Sequence, residues 1–438
     1  MGTAIRHRRS GAVPFYSPAG SMSYQRLRGT HDIFGADAEA FAKLESLARE
    51  VFGRFGFREL RTPILEQKDL FTRALGSSTD VVQKEMYEFE DRSGEKVAMR
   101  PEGTAGVVRA YLENAMDKTE GLSKLYYIGA MFRSERPQAG RLRQFHQIGV
   151  EALGTDSPLA DAEAIHALAE FLTRAGAGGF TLKMNNLGTF EERDGFKDAL
   201  RTYYKPLVSK LCDDCKARLD KNVFRLLDCK QDACRKLVQG APKISETLSE
   251  ASQKHFASVL EALGAANVKV TLDPYLVRGL DYYTKTVFEI SHPKLGAQDA
   301  LAAGGRYDKL VETFGGAPAG AVGFAVGVER LIMCLNADTE PADTRRDSLF
   351  IATLGEKALL EGFKLVSRLR EQGIAAEMDL APKSLKSQMR YADKQKAARV
   401  VVLGDNEIQS GQCKVKDMKS GVETPCTLSE LVKGKFDA

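Results

Sequence analysis

The stretch YYIGAMFRSERP, from Tyr126 to Pro137, runs from apolar residues into alternating charges. An apolar run of this length predicts a buried strand, and side chains two positions apart on a strand share one face. Arg133 and Glu135 would then point the same way at its end. An arginine on a rigid strand can hold a phosphate while the carboxylate accepts a hydrogen bond from an amino group. The alternative is a salt bridge at the end of a strand.

The flanking segments predict an antiparallel hairpin among further strands and helices. Gln138 to Arg143 is a polar, basic loop, and Gln144 to Glu151 begins the return strand. Hydrophobic periodicity predicts a helix over Asp37–Phe52. Short β-rich runs predict strands at Val97–Arg100, Leu125–Phe132, Phe145–Gly154, Thr286–Ser291 and Leu301–Gly304.

A second polar motif is LVRGLDYY, from Leu276 to Tyr283. It sets a permanently charged arginine, one carboxylate and two phenols in an otherwise apolar, strand-like context. Such groups suit a site for a phosphorylated ligand and a second polar substrate. A surface turn at Gly279 with an amphipathic strand behind it would give the same pattern.

The stretch GFAVGVERL, from Gly323 to Leu331, alternates glycines with apolar residues. Glycine in a strand lets the backbone approach a flat ligand closely, and Arg330 follows where a helix begins.

The stretch RPEGTA, from Arg100 to Ala105, marks a strand end before a helix that opens with Glu102 and Thr104. These two side chains are either ordinary helix caps or a grip for an ammonium group.

Four cysteines follow the pattern Cys212-x2-Cys215-x13-Cys229-x4-Cys234 in a basic segment. Their spacing suits a tetrahedral zinc site, and four unrelated thiols on helices are the alternative. The chain has seven cysteines in all, an odd number without an export signal, which favours a reducing cytoplasm.

The chain is too long, at 438 residues, for one compact core, so we expect two or three domains. Its net charge of +4 neither demands nor excludes nucleic acid. No apolar run approaches the roughly 20 residues that span a bilayer. Composition predicts these boundaries: 1–22, a disordered tail or cloning remnant ahead of a second methionine, Met22; 23–336, a first domain with a helical insertion at about 190–266; 337–346, a linker; 347–438, a second domain.

The second domain shows a β-α-β-α-β rhythm, which predicts a small α/β fold with a mainly parallel sheet. The predicted elements are Ser348–Thr353, Glu356–Gln372, Ile374–Met378, Lys383–Lys396 and Ala398–Leu403. The basic helix over Lys383–Lys396 either contacts phosphate backbones or is a solvated face.

Taken in order, these motifs resemble the class II aminoacyl-tRNA synthetases, and among them the histidyl-tRNA synthetase family. Phe132–Glu135 looks like the second class signature and Gly323–Arg330 like the third. Leu276–Tyr283 and Ala302–Asp308 look like the two histidine-specific boxes. Arg28–Asp32 and Lys383–Met389 are similar to that family as well.

The resemblance implies an α/β multidomain protein. Its parts would be a class II catalytic domain on an antiparallel sheet, a helical insertion and a C-terminal α/β anticodon-binding domain. It implies ATP-dependent ligation of L-histidine to tRNA(His) through histidyl-adenylate, with ATP entering as its Mg2+ complex. It further implies a cytoplasmic homodimer without a membrane partner.

The resemblance also assigns roles in binding ATP. Arg133 would hold the α-phosphate, Glu135 the adenine, and Arg330 the ATP from the opposite side. Arg278 would bind the α-phosphate where other class II members use a metal ion, so that Arg278 and Arg133 are the catalytic residues. Fixed positive charges stabilise the charge that builds at phosphorus.

The histidine pocket follows from the same resemblance. Glu102, Thr104 and Gln147 would take the α-amino group, whereas Glu151 and Tyr283 would bind the two imidazole nitrogens. One carboxylate and one phenol suit a ring with one donor and one acceptor nitrogen. Arg278 and Tyr282 complete the predicted histidine-binding set.

For tRNA, the resemblance assigns the acceptor end to Gln138, Arg141 and Arg143. It assigns the acceptor stem to the insertion, and it implies nothing about zinc, because the four cysteines are not a universal family feature. The sequence departs from the family at Phe34 and Gly35, where Leu-Pro is frequent, so a proline-fixed turn is missing.

Two rival functions share part of this sequence pattern. A synthetase-like regulatory subunit of histidine biosynthesis would lack aminoacylation, but such proteins usually lack the anticodon domain and lose the ATP arginines or the histidine-specific boxes. A synthetase for another amino acid conflicts with Tyr283 and the Gly304–Tyr307 box.

Overall fold

The computed structural model describes residues 24–76, 79–138, 140–298, 300–336 and 346–435. The predicted tail at 1–22 and nearly all of the predicted linker lie outside the described residues. The exception is Arg346, which begins a strand instead of ending a linker. The chain divides into two compact units near residue 338.

The first unit is organised around an eight-stranded sheet and a small three-stranded sheet. Its strands are β1 (Arg58–Glu59), β2 (Leu65–Gln67), β3 (Glu88–Glu90), β4 (Lys96–Met99), β5 (Ser123–Phe132), β6 (Gln144–Leu153), β7 (Thr181–Asn186), β8 (Thr271–Leu272), β9 (Thr284–Ser291), β10 (Ala300–Arg306) and β11 (Ala321–Gly327). The large sheet has the order β1-β5-β6-β11-β10-β9-β7-β8, and the small one β2-β4-β3.

The large sheet is antiparallel from β5 to β7, and only its edge strands β1 and β8 pair in parallel. The predicted antiparallel catalytic sheet is therefore confirmed in its centre. Successive side chains alternate between two cores, so that Tyr127 faces one and Tyr126 the other. Both faces are covered, which explains why a stretch such as Leu125–Phe132 of β5 is apolar at successive positions rather than alternating.

Helices cover both faces of this sheet. They are α1 (Ala36–Arg54), α2 (Lys68–Leu75), α3 (Thr104–Glu113), α4 (Met116–Thr119), α5 (Pro158–Arg174), α6 (Phe190–Tyr204), α7 (Asp213–Lys221), α8 (Asp232–Val238), α9 (Glu250–Ala265), α10 (Leu310–Thr313) and α11 (Val328–Asn336). Short 3-10 turns lie at Lys205–Lys210, Val223–Leu226, Ile244–Glu246 and Pro293–Gln298, and a π-helical turn lies at Val81–Glu85.

The segment from α6 to α9 is helical throughout, as its sequence predicts. Its last helix, α9, packs on α5, where His255 Nε2 lies 2.9 Å from the buried Asp161 carboxylate. The same carboxylate accepts from Thr286 and from the fully buried Arg306, so it ties two helices and two strands together.

The structure corrects one prediction about the segment Leu276–Tyr283. It consists of turns and bends between β8 and β9 rather than a strand. Side chains from the helical insertion hold its backbone: Arg193 donates to the Tyr283 carbonyl at 2.6 Å and Arg225 to the Gly279 carbonyl at 3.3 Å. The apolar residues Leu276 and Val277 are buried, which is why the sequence looks strand-like.

The second unit is a five-stranded sheet with helices on both faces. Its elements are β12 (Arg346–Thr353), α12 (Glu356–Glu371), β13 (Ala376–Met378), α13 (Leu385–Lys394), β14 (Ala397–Leu403), α14 (Asp405–Ser410), β15 (Gln412–Asp417), β16 (Glu423–Thr427) and α15 (Leu428–Val432). The order is β13-β12-β14-β15-β16; the first three strands are parallel, and β15 and β16 add an antiparallel edge. The α/β prediction is confirmed, but the sheet is mixed rather than mainly parallel.

Within the described residues, no helix combines the length and the apolar character that a membrane crossing requires.

Candidate functional site

A cleft opens above the middle of the large sheet. Its walls come from β5, β6, β10 and β11, from the start of α3, and from the loop that precedes β9. The structure brings eleven predicted residues together here: Glu102, Thr104, Arg133, Glu135, Arg141, Gln147, Glu151, Arg278, Tyr282, Tyr283 and Arg330.

Glu151 lies at the floor of the cleft and is 1% exposed. Its carboxylate accepts from Thr104 Oγ1 at 2.7 Å and from Tyr307 OH at 2.5 Å. Gly323, opposite it on β11, leaves the space that this side chain occupies, because a Cβ there would collide with the carboxylate. Burial raises the pKa of Glu151 to about 8, against the opposing effect of its two hydrogen bonds.

Glu102 is the second buried carboxylate of the cleft. It accepts from the backbone amides of Thr104 and Ala105 at 2.6 and 2.9 Å, so it also caps α3. Burial raises its pKa, although these amides favour the charged form. The two alternatives for Glu102 are therefore compatible, because this residue caps α3 and also lines the cleft.

Two buried polar atoms of the cleft have no hydrogen-bond partner among the described residues. They are Arg278 Nε and Gln147 Oε1. The guanidinium of Arg278 is held on its other edge by the carboxylate of Glu289 on β9. Of the eight buried side-chain atoms without a partner among the described residues, these two are the ones that line the cleft, where a ligand would supply their hydrogen bonds.

The arginines occupy different walls. Arg133 Nε donates to the Pro101 carbonyl at 2.9 Å, and its guanidinium lies 5.3 Å from the centre of the Phe145 ring. Arg330 donates to the carbonyls of Gly140 and Ala300 at 2.8 and 2.6 Å. Burial lowers the pKa of Arg330, but an arginine remains charged. Positive charge therefore faces the cleft from two sides.

The predicted strand that carries Arg133 ends one residue earlier, at Phe132. Arg133 and Glu135 lie just beyond it, 3.9 Å apart at their nearest charged atoms. Glu135 is closer to Arg141, at 3.2 Å. The salt-bridge alternative is thus present in the structure, and the same residues line the cleft.

Four tyrosines surround the two buried carboxylates. Tyr282 and Tyr283 contact each other with ring centres 4.6 Å apart, and Tyr282 meets Tyr307 at 5.6 Å. Burial raises the pKa of Tyr283 to about 12 and holds those of Tyr127, Tyr282 and Tyr307 well above the usual value. All four phenols are therefore neutral donors near pH 7.

Two predicted residues, Gln138 and Arg143, do not line the cleft. Gln138 and Arg141 exchange backbone hydrogen bonds at 3.1 and 2.9 Å, which closes the tip of the β5–β6 hairpin. Arg143 donates its backbone amide to the Gly29 carbonyl at 2.7 Å, beside the predicted motif that begins at Arg28. Gln138 borders a neighbouring depression together with Arg136 and with Arg141, which lines both the depression and the cleft.

Sequence reasoning missed three residues of the site: Tyr127, Glu289 and Tyr307. Tyr127 and Tyr307 lie inside motifs that were recognised, and a period of two along β5 would have placed Tyr127 on the same face as Gly129. Glu289 carries no local signal. Its role depends on the loop that brings Arg278 over β9.

The four predicted cysteines lie outside the cleft but close together, in the helical insertion. Their sulfur atoms are all within 4.8 Å of one another.

Known protein families match most of the chain. The family model described as histidyl-tRNA synthetase matches residues 29–331, and one described as anticodon binding domain matches residues 348–434. The chain belongs to the histidyl-tRNA synthetase family. It is 45% identical to a curated protein named histidine–tRNA ligase from Anaeromyxobacter dehalogenans, over 94% of this chain and 99% of that protein.

Solved structures agree on the fold. Apo histidyl-tRNA synthetase from S. aureus superposes with a TM-score of 0.78 at 33% identity, over 95% of this chain and all of that one. A Bacillus halodurans protein titled ATP phosphoribosyltransferase regulatory subunit/histidyl-tRNA synthetase has a TM-score of 0.65 at 21% identity, over 88% and 99%. The second likeness shows the fold alone, so it does not decide between the two activities in its title.

Proposed function

We propose that this member of the histidyl-tRNA synthetase family is a histidine–tRNA ligase. It joins L-histidine to ATP as histidyl-adenylate, releases pyrophosphate, and then transfers the histidyl group to tRNA(His). The observation that carries the proposal is one cleft lined by two buried carboxylates and three arginines. Two buried polar atoms in it, one of them on Arg278, have no partner among the described residues.

The buried carboxylates suit a ligand with cationic groups. Glu102 and Glu151 accept hydrogen bonds from neutral donors only, as far as the described residues extend. An ammonium group beside Glu102 and Gln147 Oε1 would supply the missing positive charge and donors. Glu151 and Tyr283 would then bind the imidazole ring. A ligand without these groups leaves polar atoms unpaired, which costs about 1–3 kcal/mol for each.

The arginines suit ATP. Arg133 and Arg278 would hold the α-phosphate during attack by the histidine carboxylate, and Arg330 would bind the nucleotide from the facing wall. Charge builds on the phosphate oxygens as the adenylate forms, and positioned guanidinium groups stabilise it without reorganising. ATP enters as its Mg2+ complex, which helps to neutralise the departing pyrophosphate.

Recognition of tRNA would use surfaces outside the cleft. The hairpin residues Gln138, Arg141 and Arg143 are proposed to meet the acceptor end, and the match to an anticodon-binding domain supports a role for the second unit. A cytoplasmic homodimer is proposed from the family resemblance, and light scattering of the purified protein tests the dimer.

The regulatory-subunit alternative has less support. The ATP arginines Arg133, Arg278 and Arg330 all line the cleft, and the second unit matches the anticodon-binding family over nearly its whole length. A regulator that has lost aminoacylation has no need of either.

The test is histidine-dependent exchange of pyrophosphate into ATP, followed by charging of tRNA(His). We expect both reactions with histidine and neither with other amino acids. Glu151→Ala removes the proposed contact to the imidazole ring and leaves the hydroxyls of Thr104 and Tyr307 without their acceptor. Its kcat/KM for histidine should therefore fall at least ~100-fold. Folded protein that catalyses neither reaction would favour the regulator, and near-normal exchange in Glu151→Ala would overturn the assigned pocket.

A further inference from the structure

The four cysteines of the insertion form a compact group of sulfur atoms. Cys212 Sγ lies 3.8 Å from Cys229 Sγ, and all four sulfurs are within 4.8 Å of one another. Four thiolates around one zinc ion at about 2.3 Å lie roughly 3.8 Å apart. The observed separations therefore need contraction of at most ~1 Å to reach that geometry.

The surroundings of the group suit a bound dication. Cys215, Cys229 and Cys234 are buried, and Cys212 is partly exposed. The backbone amide of Cys212 donates to Cys234 Sγ at 3.3 Å, an interaction that stabilises a thiolate. Residues 210–236 carry eight basic and five acidic side chains, which offsets the two negative charges of a zinc ion with four thiolates.

The group closes a short segment whose side chains reach the active-site loop. Between Cys215 and Cys229 lie Asn222 and Arg225. Asn222 Nδ2 donates to the Asp281 carboxylate at 2.9 Å, and Arg225 donates to the Gly279 carbonyl at 3.3 Å. Both contacted residues, Gly279 and Asp281, lie between Arg278 and Tyr283, two residues that face the cleft.

We propose that Cys212, Cys215, Cys229 and Cys234 bind one structural zinc ion, which fixes the segment that holds the loop 276–283 in its active shape. A loop without regular secondary structure depends on such external contacts for its order. Zinc would thus position Arg278 without touching substrate. The binding half of the proposal stands alone, whereas the consequence for catalysis rests on the proposed function.

Metal content tests the binding half without an activity assay. We expect about one zinc per chain in full-length protein purified under reducing conditions without chelator. Cys234→Ser should lower that content to a small fraction, whereas Cys413→Ala, a buried cysteine of the second unit, should leave it unchanged. Protein that holds no zinc after supplementation overturns the site. So does a mass lower by four hydrogens, which indicates two disulfides.

Hydrogen exchange of the peptide covering 276–283 tests the positioning half. We expect faster exchange in this peptide after zinc is removed, together with a larger fall in kcat than rise in KM for histidine. Asn222→Ala keeps all four cysteines, so it should retain zinc and yet show the faster exchange. Asn222→Ala therefore still tests the positioning role if Cys234→Ser fails to fold. Unchanged exchange in both zinc-free protein and Asn222→Ala overturns the positioning role.

Discussion

Arg278 Nε and Gln147 Oε1 are buried and have no hydrogen-bond partner among the described residues. Leaving a polar atom in this state costs about 1–3 kcal/mol of folding free energy. The chain tolerates that cost at two points of one cleft, where a bound ligand would remove it. Glu289 pairs with the other edge of Arg278, so the guanidinium is held in place before a phosphate arrives.

Glu151 gives a prediction for stability against pH in the unliganded protein. Burial raises its pKa to about 8, from a usual value of 4.5. As pH rises from about 4.5, the unfolded chain loses this proton while the folded chain keeps it, so the free energy of unfolding falls. The contribution of Glu151 is fully present below about pH 4.5 and is lost above about pH 8.

Urea denaturation of wild type and Glu151→Gln, between pH 5 and pH 9, measures this contribution. The variant cannot ionise at this position, so the stability of wild type relative to it should decline with rising pH and level off near pH 8. Glu90→Gln, at an exposed position on β3, is the control. A relative stability that is flat or that rises with pH would contradict the raised pKa.

The family resemblance predicted most of the residues that line the cleft, because its motifs occur here in the same order. The sequence could not predict that Tyr307 completes the surroundings of Glu151. That contact joins residues 156 positions apart and depends on the register between β6, β11 and β10. Glu289 was missed for the same reason, since nothing near it in sequence indicates an ion pair with Arg278.

Among the elements, strands were predictable and the loop was not. The runs that form β5, β6, β9 and β11 are rich in apolar residues, so their extended structure follows from composition. The segment 276–283 is equally apolar at its start, yet it folds as turns because the insertion supplies partners for its carbonyls. The hydrophobic pattern of a segment does not indicate hydrogen-bond partners that lie 50 or more residues away in sequence.

The strand β11 depends on glycine at a single point. A Cβ at Gly323 would collide with the Glu151 carboxylate and approach the Val150 carbonyl at 2.5 Å. We expect Gly323→Ala to lower stability by about 1–3 kcal/mol and to raise the KM for histidine, because Glu151 must move.

Gly264→Ala in α9 is the matched control, since a Cβ there meets nothing within 4 Å. Alanine is the better helix former, so this variant should be at least as stable as wild type. Urea midpoints and pyrophosphate exchange measure both variants. A Gly323→Ala protein with wild-type values in both assays would show that Glu151 does not need that space.

At the scale of the whole chain, the two units divide the proposed work into chemistry and recognition of tRNA. In the second unit, the opposite faces of the sheet carry different helices. Leu349 and Ile351 of β12 pack in the core with α12, whereas Phe350 and Ala352 pack in the core with α13. Gln388 joins α13 to β12, because its side chain bonds the amide and carbonyl of Thr353 at 2.9 and 2.7 Å.

The exposed face of α13 carries Lys386 and Arg390, one helical turn apart. If this face contacts RNA phosphates, the double variant Lys386→Ala/Arg390→Ala should raise the KM for tRNA(His). It should also make the plot of the logarithm of the tRNA-binding constant against the logarithm of salt concentration less steep, by about 1.4–1.8. Histidine-dependent pyrophosphate exchange needs no tRNA and should stay at the wild-type rate.

The control is the pair Lys357→Ala/Lys364→Ala, which removes the same charge from α12, on the other face of the sheet. Equal losses in both double variants would mean that only net charge matters, and a parallel fall in exchange would mean that the substitutions disturb the fold.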